Sequence, residues 1–482
     1  MKRNLDVYIR SDYDAARGDA DVAAIKKMQQ LAAEYCADEN GGNRLRVHLV
    51  LGNRALANTL RGLPLDSSMA KNIELYAYTI DDLWAMKVLG IAPGAKPLLD
   101  REPITYDGNR CVHFVIFGTD GAAESLAIHT ALTAHYPNYC RDKKRRTRIT
   151  WVADSRACFY DFTQRYSCLL ENSYRRYVTL NGDEIATELF TPKYLADGLD
   201  FVDIEWEFVV GTLSNNALQY KLNKWQSDDE QLLTLAFCYN DNERNMNELL
   251  ALPRELRVAQ PLLLKCADST VVDMLCASGE YKLVIPFGMK EAELPDVGGF
   301  MRMAQCVNFA YSTMRATDEE EQMMGAVKMA VATEVPESDA LQQMWNNHKL
   351  TTPKRWSNIY NAFSVNSKIN SLGMPADIWG SFFSLNNRDV ELLTEVEHNR
   401  WCVEELILGY RPTNRQQHEM ILQDVALREK FKAEFIHDDL RSYSDLGVDD
   451  TGLSVTRYDE GLIRTLPLIA YTAFEQQKGG GL

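Results

Sequence analysis

Val112-His-Phe-Val-Ile-Phe117-Gly118-Thr-Asp-Gly121-Ala-Ala123 is the stretch that decides the fold. An apolar run of strand length ends in closely spaced glycines. Helical spacing follows over residues 122–135, with Ala123, Leu126, Ala127 and Ala131 on one face. After a basic loop at 143–146, residues 149–152 read as a second strand that ends at Asp154. Strand, tight turn, helix and strand make a βαβ unit, and short connections of this kind build a parallel sheet.

The same alternation runs outward in both directions. Downstream, strands are predicted at 206–210, 232–238, 261–265 and 283–285, with helices at 214–225, 241–252 and 269–277 between them. A doubly wound α/β sheet is the arrangement these short connections favour. Upstream, 45–51 and 73–78 read as strands, and 54–63 and 81–88 as helices. The segment 93–109 is rich in Pro, Gly and charge and reads as a linker. Beyond Pro295 the pattern turns almost wholly helical, with solvated connectors expected at 318–321 and 333–339. The expected organisation is a small α/β domain over 1–100, a larger α/β domain over 101–300 and a helical domain over 301–482.

Composition narrows the function. The 482 residues are 46% hydrophobic and 25% charged, enough apolar residue to bury large cores. A net charge of -16 argues against broad phosphate neutralisation, so no general nucleic-acid binding is expected. It leaves room for a local site that takes one small anion. No segment has the apolar length of a membrane span or a leader, and the ten cysteines show no CxxC pair. These features predict a soluble, cytoplasmic chain with reduced thiols.

A strand that runs into glycines and a helix start is a phosphate cradle in principle, because free N–H groups and the positive helix end attract an anion. Gly118 and Gly121 supply that turn, although the full GxGxxG run is absent and Asp120 places an acid in it. Asp154 stands where a ribose diol is gripped. Gly118, Asp120, Gly121 and Asp154 are therefore the candidate cofactor-binding residues, for NAD or another adenine nucleotide. A sheet of this kind that has lost its cofactor is the competing reading.

The strongest local signal lies near the C-terminus: Glu395-Val-Glu397-His398-Asn-Arg400-Trp401-Cys-Val-Glu404. Helical spacing brings Glu397, Arg400, Trp401 and Glu404 to one side, with His398 adjoining. Trp401 could stack on a base and Arg400 could take a phosphate bidentately. An internal Glu–Arg–Glu ladder with Trp401 in the core explains the same spacing.

Two resemblances add to these readings. The glycine turn, the strand to Asp154 and the run at 232–244 are similar to the TrkA-N (RCK) branch of NAD-binding domains, over residues 105–290. The segment at 395–404 resembles the RyR (ryanodine-receptor repeat) domain. That family's Gly-aromatic turn is matched by Gly409-Tyr410. Its His-Pro-x-Leu element is matched in part at His437, with Asp438 in place of Pro, and its Arg-aromatic-Asp helix is matched at Arg457-Tyr458-Asp459. An inserted stretch, 415–435, separates the turn from His437. A half-repeat is visible at Arg355-Trp356, so the helical domain reads as two similar halves. The fold class implied is a doubly wound, Rossmann-like α/β part followed by an all-α RyR-like domain. The resemblance implies a small-nucleotide ligand, held by Glu397, His398, Arg400, Trp401, Tyr410, His437, Arg457, Tyr458, Arg355 and Trp356.

No Walker A, HExxH, GxSxG or CxxC run occurs. Tyr220-x-x-x-Lys224 lies in a helix without an associated Ser or Asn, and His418 and His437 lack a third ligand for a metal. The sequence thus points to a non-enzymatic nucleotide sensor, a homodimer or higher oligomer, with a place in antiviral defence implied by resemblance alone. Two alternatives stand beside it. One is an NAD-responsive regulatory subunit with a membrane partner, a potassium channel or transporter. The other is an NAD-dependent oxidoreductase.

Overall fold

The structure, a computed structural model, describes residues 6–11, 17–36, 44–63, 65–92, 94–181, 184–277, 279–289, 297–322, 338–347, 350–375, 383–449 and 452–479. Two parallel-rich sheets and a helical body share one core. The smaller sheet holds β1 (Asp6–Arg10), β2 (Leu45–Leu51) and β3 (Ile73–Thr79), all parallel, in that order.

The larger sheet comprises β4 (Cys111–Phe117), β5 (Thr147–Ala153), β6 (Arg175–Asn181), β7 (Glu184–Phe190), β8 (Ile204–Val210), β9 (Gln231–Phe237), β10 (Leu262–Lys265) and β11 (Val284–Phe287). Its eight strands run in the order β11-β10-β9-β4-β5-β8-β6-β7, and every pair except β6 with β7 is parallel. The first strand thus sits in the middle, and the chain winds away from it in both directions. The strands expected from sequence all form. The β6–β7 hairpin at one edge was not foreseen, although the sequence places Gly182-Asp183 between two alternating runs, which is a hairpin signal.

Both faces of the central strands are covered, which is why they read as continuous apolar runs. Phe114 and Ile116 of β4 point into one core, and Val115 and Phe117 into the other. The second core packs under the helices Asn216–Gln226, Asn242–Ala251, Arg254–Ala259 and Thr270–Ala277. The first core has no internal boundary. It joins Tyr78 and Trp84 of the small α/β part, Phe114 and Trp206 of the large sheet, and Trp345, Trp356 and Val403 of the helical part.

The helix Gly121–Thr133 lies at the centre of this core. Ala122, Ala123 and every residue from Ser125 to Thr133 are buried, the polar Ser125, His129, Thr130 and Thr133 included. It packs against Ile80–Val88, Thr352–Phe363 and Asn387–Ile407.

The segment expected to be a linker connects the sheets but is not a solvated one. Leu99, Asp100 and Ile104 are buried. Asn370 donates to the Asp100 carbonyl and carboxylate, and Asn366 donates to the carbonyls of Gly90 and Ala92. Residues 318–321 are the end of the helix Val297–Gln322 rather than a connector. Most of the second expected connector, 333–337, lies outside the described residues. Among the described residues no helix is long and apolar enough to cross a membrane.

Candidate functional site

Strands of both sheets end at one cleft. Beyond β2, Asn53 caps the helix Arg54–Gly62. Beyond β3, Thr79 caps Ile80–Val88 in a capping box with Asp82. Beyond β4, Asp120 caps Gly121–Thr133 by accepting from the Ala123 N–H at 3.0 Å. Each cap is a short polar residue placed where a strand turns into a helix, the local chemistry that helix starts require. Asn53, Thr79 and Asp120 all line a chamber of about 390 Å³. Three helix N-termini, each with partial positive charge, therefore converge there.

The same chamber is walled by Arg54, Arg165 and Lys265 and by Asp81, Asp120 and Glu124. Arg165 pairs with Glu124, and Lys265 with Asp120. Arg54 pins the two sheets together. It donates to Asp82 at 2.7 Å, to Thr79 Oγ1, to the Gly121 carbonyl and to Ser125. Asp81 lies 4.0 Å from Arg54, and its carboxylate occupies the place a Cβ on Gly121 would take, so a larger residue there would have to displace it. Burial pushes the Asp81 carboxyl up to about 6 against the pull of Arg54.

A second chamber of about 280 Å³ adjoins the first across Thr119, Asp120 and Asn240. It runs along the ends of β4, β5 and β9, where the strand order reverses, and it contains Asp154, Tyr239 and Arg244. Gly118 has φ +96, and a Cβ on it would overlap the Cys238 carbonyl and Tyr239 N. This turn can therefore only be glycine. Arg244 lies 3.7 Å from the Tyr239 ring centroid and donates to both Asp154 oxygens, at 2.8 and 2.6 Å. Its hydrogen bonds hold the Asp154 carboxyl below the usual range.

The four cofactor residues expected from sequence thus meet at this cleft, with one qualification. The helix end beside Gly121 already carries a carboxylate, Asp120, neutralised by Lys265. Arg54, Arg165 and Lys265 escaped the sequence reading, and Tyr239 and Arg244 lie in the run 232–244 but were given no role there. Only the caps Asn53 and Thr79, each just past a strand, could have pointed to the wall that the small sheet supplies.

The ligand residues expected in the helical part are distributed over several neighbourhoods. Glu397, Arg400 and Glu404, on the helix Asn387–Ile407, are buried. Arg400 donates to both Glu397 oxygens through Nε at 3.0 Å and to Glu404 at 2.6 Å. Lys368 and Asn361 complete the shell of Glu397. Burial would raise the Glu397 pKa, but Arg400 and Lys368 outweigh it and hold the carboxyl near 2. This is the internal ladder, and it leaves Arg400 no outward face for a phosphate.

His398 is buried too. It contacts the Arg441 carbonyl at 2.9 Å and lies 3.4 Å from Asp459. Burial disfavours its charge, yet Cys402 and Asp459 raise its pKa above the ordinary value. Trp401 is half-buried and meets His437 edge-on at 5.0 Å, while Tyr410 packs on Phe435. Arg457 pairs with Asp449, and Tyr458 stacks on Tyr311. Arg355 donates to the Trp345 carbonyl, and Trp356 lies edge-on to Tyr78 of the small sheet. Tyr220 is an exposed residue of Asn216–Gln226. Among the described residues no three acidic, His or Cys side chains are placed to hold a metal ion.

Compared with known protein families, with curated proteins and with solved structures, the chain shows no significant match to any of them.

Proposed function

We propose that this chain is a non-catalytic nucleotide sensor whose ligand lies across the two chambers at the strand ends. The observation that carries the reading is the position and lining of the cleft. Ligands of doubly wound sheets bind beyond the carboxyl ends of the strands, at the point where strand order reverses. Here that point opens on Gly118, Asp154 and Arg244, and the adjoining chamber presents three helix N-termini with Arg54, Arg165 and Lys265. Base and ribose fit the first set, and phosphate fits the second.

The order β11-β10-β9-β4-β5-β8 within the run of seven parallel strands supports a Rossmann-like description of the large sheet. The two Arg-aromatic pairs, each near the start of a helix (Thr352–Phe363 and Thr456–Gly479), support the RyR-like description of the helical part.

A route from cleft to helical part supports sensing over simple storage. Arg54 lines the cleft and holds Asp82. Asp82 accepts from Arg61 at 2.7 Å, and the Arg61 guanidinium lies 4.5 Å from the Trp356 ring centroid. A ligand that draws Arg54 away from Asp82 favours one packing of the small sheet on the helices over another, and differential affinity for two packings is all a sensor requires.

The test is a thermal-shift screen with ATP, NAD, NADP, ADP-ribose and cyclic nucleotides. A ligand at a hundred times its dissociation constant stabilises by about 2.7 kcal/mol. The expected result is a shift with at least one nucleotide that is lost in Arg165→Ala. Because Arg165 is partly exposed and its pair with Glu124 lies at the surface, that variant should melt within about 1 kcal/mol of wild type. A nucleotide shift that survives both Arg165→Ala and Lys265→Ala would overturn the site. No shift with any nucleotide would overturn the function.

A further inference from the structure

The Asp154–Arg244 pair carries information about the ligand beyond its being a nucleotide. In sheets of this type a carboxylate at the tip of the second strand accepts both hydroxyls of an unmodified ribose. Asp154 occupies that tip, yet both of its oxygens already accept from Arg244, at 2.8 and 2.6 Å. The guanidinium comes from the helix Asn242–Ala251, which follows β9 in the opposite half of the sheet, and the Tyr239 ring supports it at 3.7 Å. A diol reaching Asp154 would have to compete with a charge-assisted, bidentate pair.

We infer that the cleft selects a nucleotide whose ribose carries a phosphomonoester in place of the free 2′- or 3′-hydroxyl, in addition to its 5′ phosphate, and that Arg244 reads that group. This rests on the reading of the cleft as a nucleotide site. Asp154 takes two of the five N–H donors of the guanidinium and Glu248 lies 3.7 Å from its Nε, so the outer N–H groups of the two terminal nitrogens are the ones that can meet a phosphate. Arg244 is the sole cation among the residues lining its chamber, where Asp120, Asp154 and Asp241 are the acids. A ribose phosphate without Arg244 would meet like charge only. The pair is also accessible: side-chain exposure is 32% for Arg244 and 50% for Asp154.

The experiment is titration calorimetry of the full chain with adenosine 5′-monophosphate, adenosine 2′,5′-bisphosphate and adenosine 3′,5′-bisphosphate. Wild type, Arg244→Gln and Asp154→Asn are compared, with melting temperatures as the control for folding. In wild type one bisphosphate should bind at least about tenfold more tightly than the monophosphate, the worth of one good charge-assisted contact. The ratio of bisphosphate to monophosphate affinity should fall to about one in Arg244→Gln and should hold or rise in Asp154→Asn. Equal binding of all three nucleotides to wild type overturns the inference and leaves the nucleotide cleft standing. So does a preference that persists in Arg244→Gln. Failure of all three to bind removes the cleft reading itself, and the inference with it.

Discussion

The cleft and the helix Asn387–Ile407 are built from the same residue types, and they do opposite things with them. In the cleft, Arg165, Arg244 and Lys265 each hold an acid at a surface that opens on a chamber. In the helix, Arg400 holds Glu397 and Glu404 with every partner buried. An arginine between two acids is a strut when the protein consumes its donors internally. It becomes a recognition element when water, and hence a ligand, can compete for it. Residue type and spacing do not separate the two cases. Access does.

The largest effect that separates the regions is on stability. Arg400→Ala leaves the Glu397 and Glu404 carboxylates buried without their cation, and loss of one partner from a buried pair costs about 3–5 kcal/mol. Chemical denaturation should show that loss, while nucleotide affinity of the folded fraction stays within about twofold of wild type. Selective loss of binding in a protein of normal stability would instead return the ligand to this helix.

Gly118→Ala comes next. A Cβ at φ +96 is strained and collides with backbone of the next strand's turn, so about 2–3 kcal/mol should be lost. Binding should fall with it, since the turn forms the floor between Asp154 and Tyr239. A stable variant that binds normally would show the turn to be a packing device alone.

The last effect sharpens the cleft's electrostatics. Asp81 has a folded pKa near 6 against an ordinary 3.8. Between those values the folded state keeps a proton that the unfolded state has released, so this group's contribution falls as pH rises. Above pH 6 the whole penalty is present, and below about pH 4 it is absent. Asp81→Asn should therefore stabilise the protein by up to about 3 kcal/mol at pH 7.5 and by little at pH 4. Anionic ligands should also bind wild type more tightly at pH 5.5 than at pH 7.5, a difference that Asp81→Asn abolishes. A pH-independent gain from the substitution would place the proton elsewhere.

Elements of the fold were legible where local rules decide them. The strands from β2 to β5 and from β8 to β11, and the helices between them, follow from apolar runs, caps and glycines within a dozen residues. The β6–β7 hairpin does not stand out in the sequence because its strands are half-polar. The segment 93–109 looked like a linker because Pro, Gly and charge mark irregular backbone. Such backbone can still be buried when side chains satisfy it, as Asn366 does by accepting from the Gly94 N–H and Asn370 by donating to the Asp100 carbonyl.

The sequence by itself determined the parallel α/β alternation, the glycine at 118, the acid at 154 and the Glu–Arg–Glu spacing at 397–404. Each is a matter of neighbours along one chain segment. Only the tertiary structure decided which of these face a cavity. Arg54 meets Gly121 across 67 positions, Asp154 meets Arg244 across 90, and Lys265 meets Asp120 across 145. Electrostatic partnership of that kind depends on how two sheets and a helical body pack, and no local pattern encodes it.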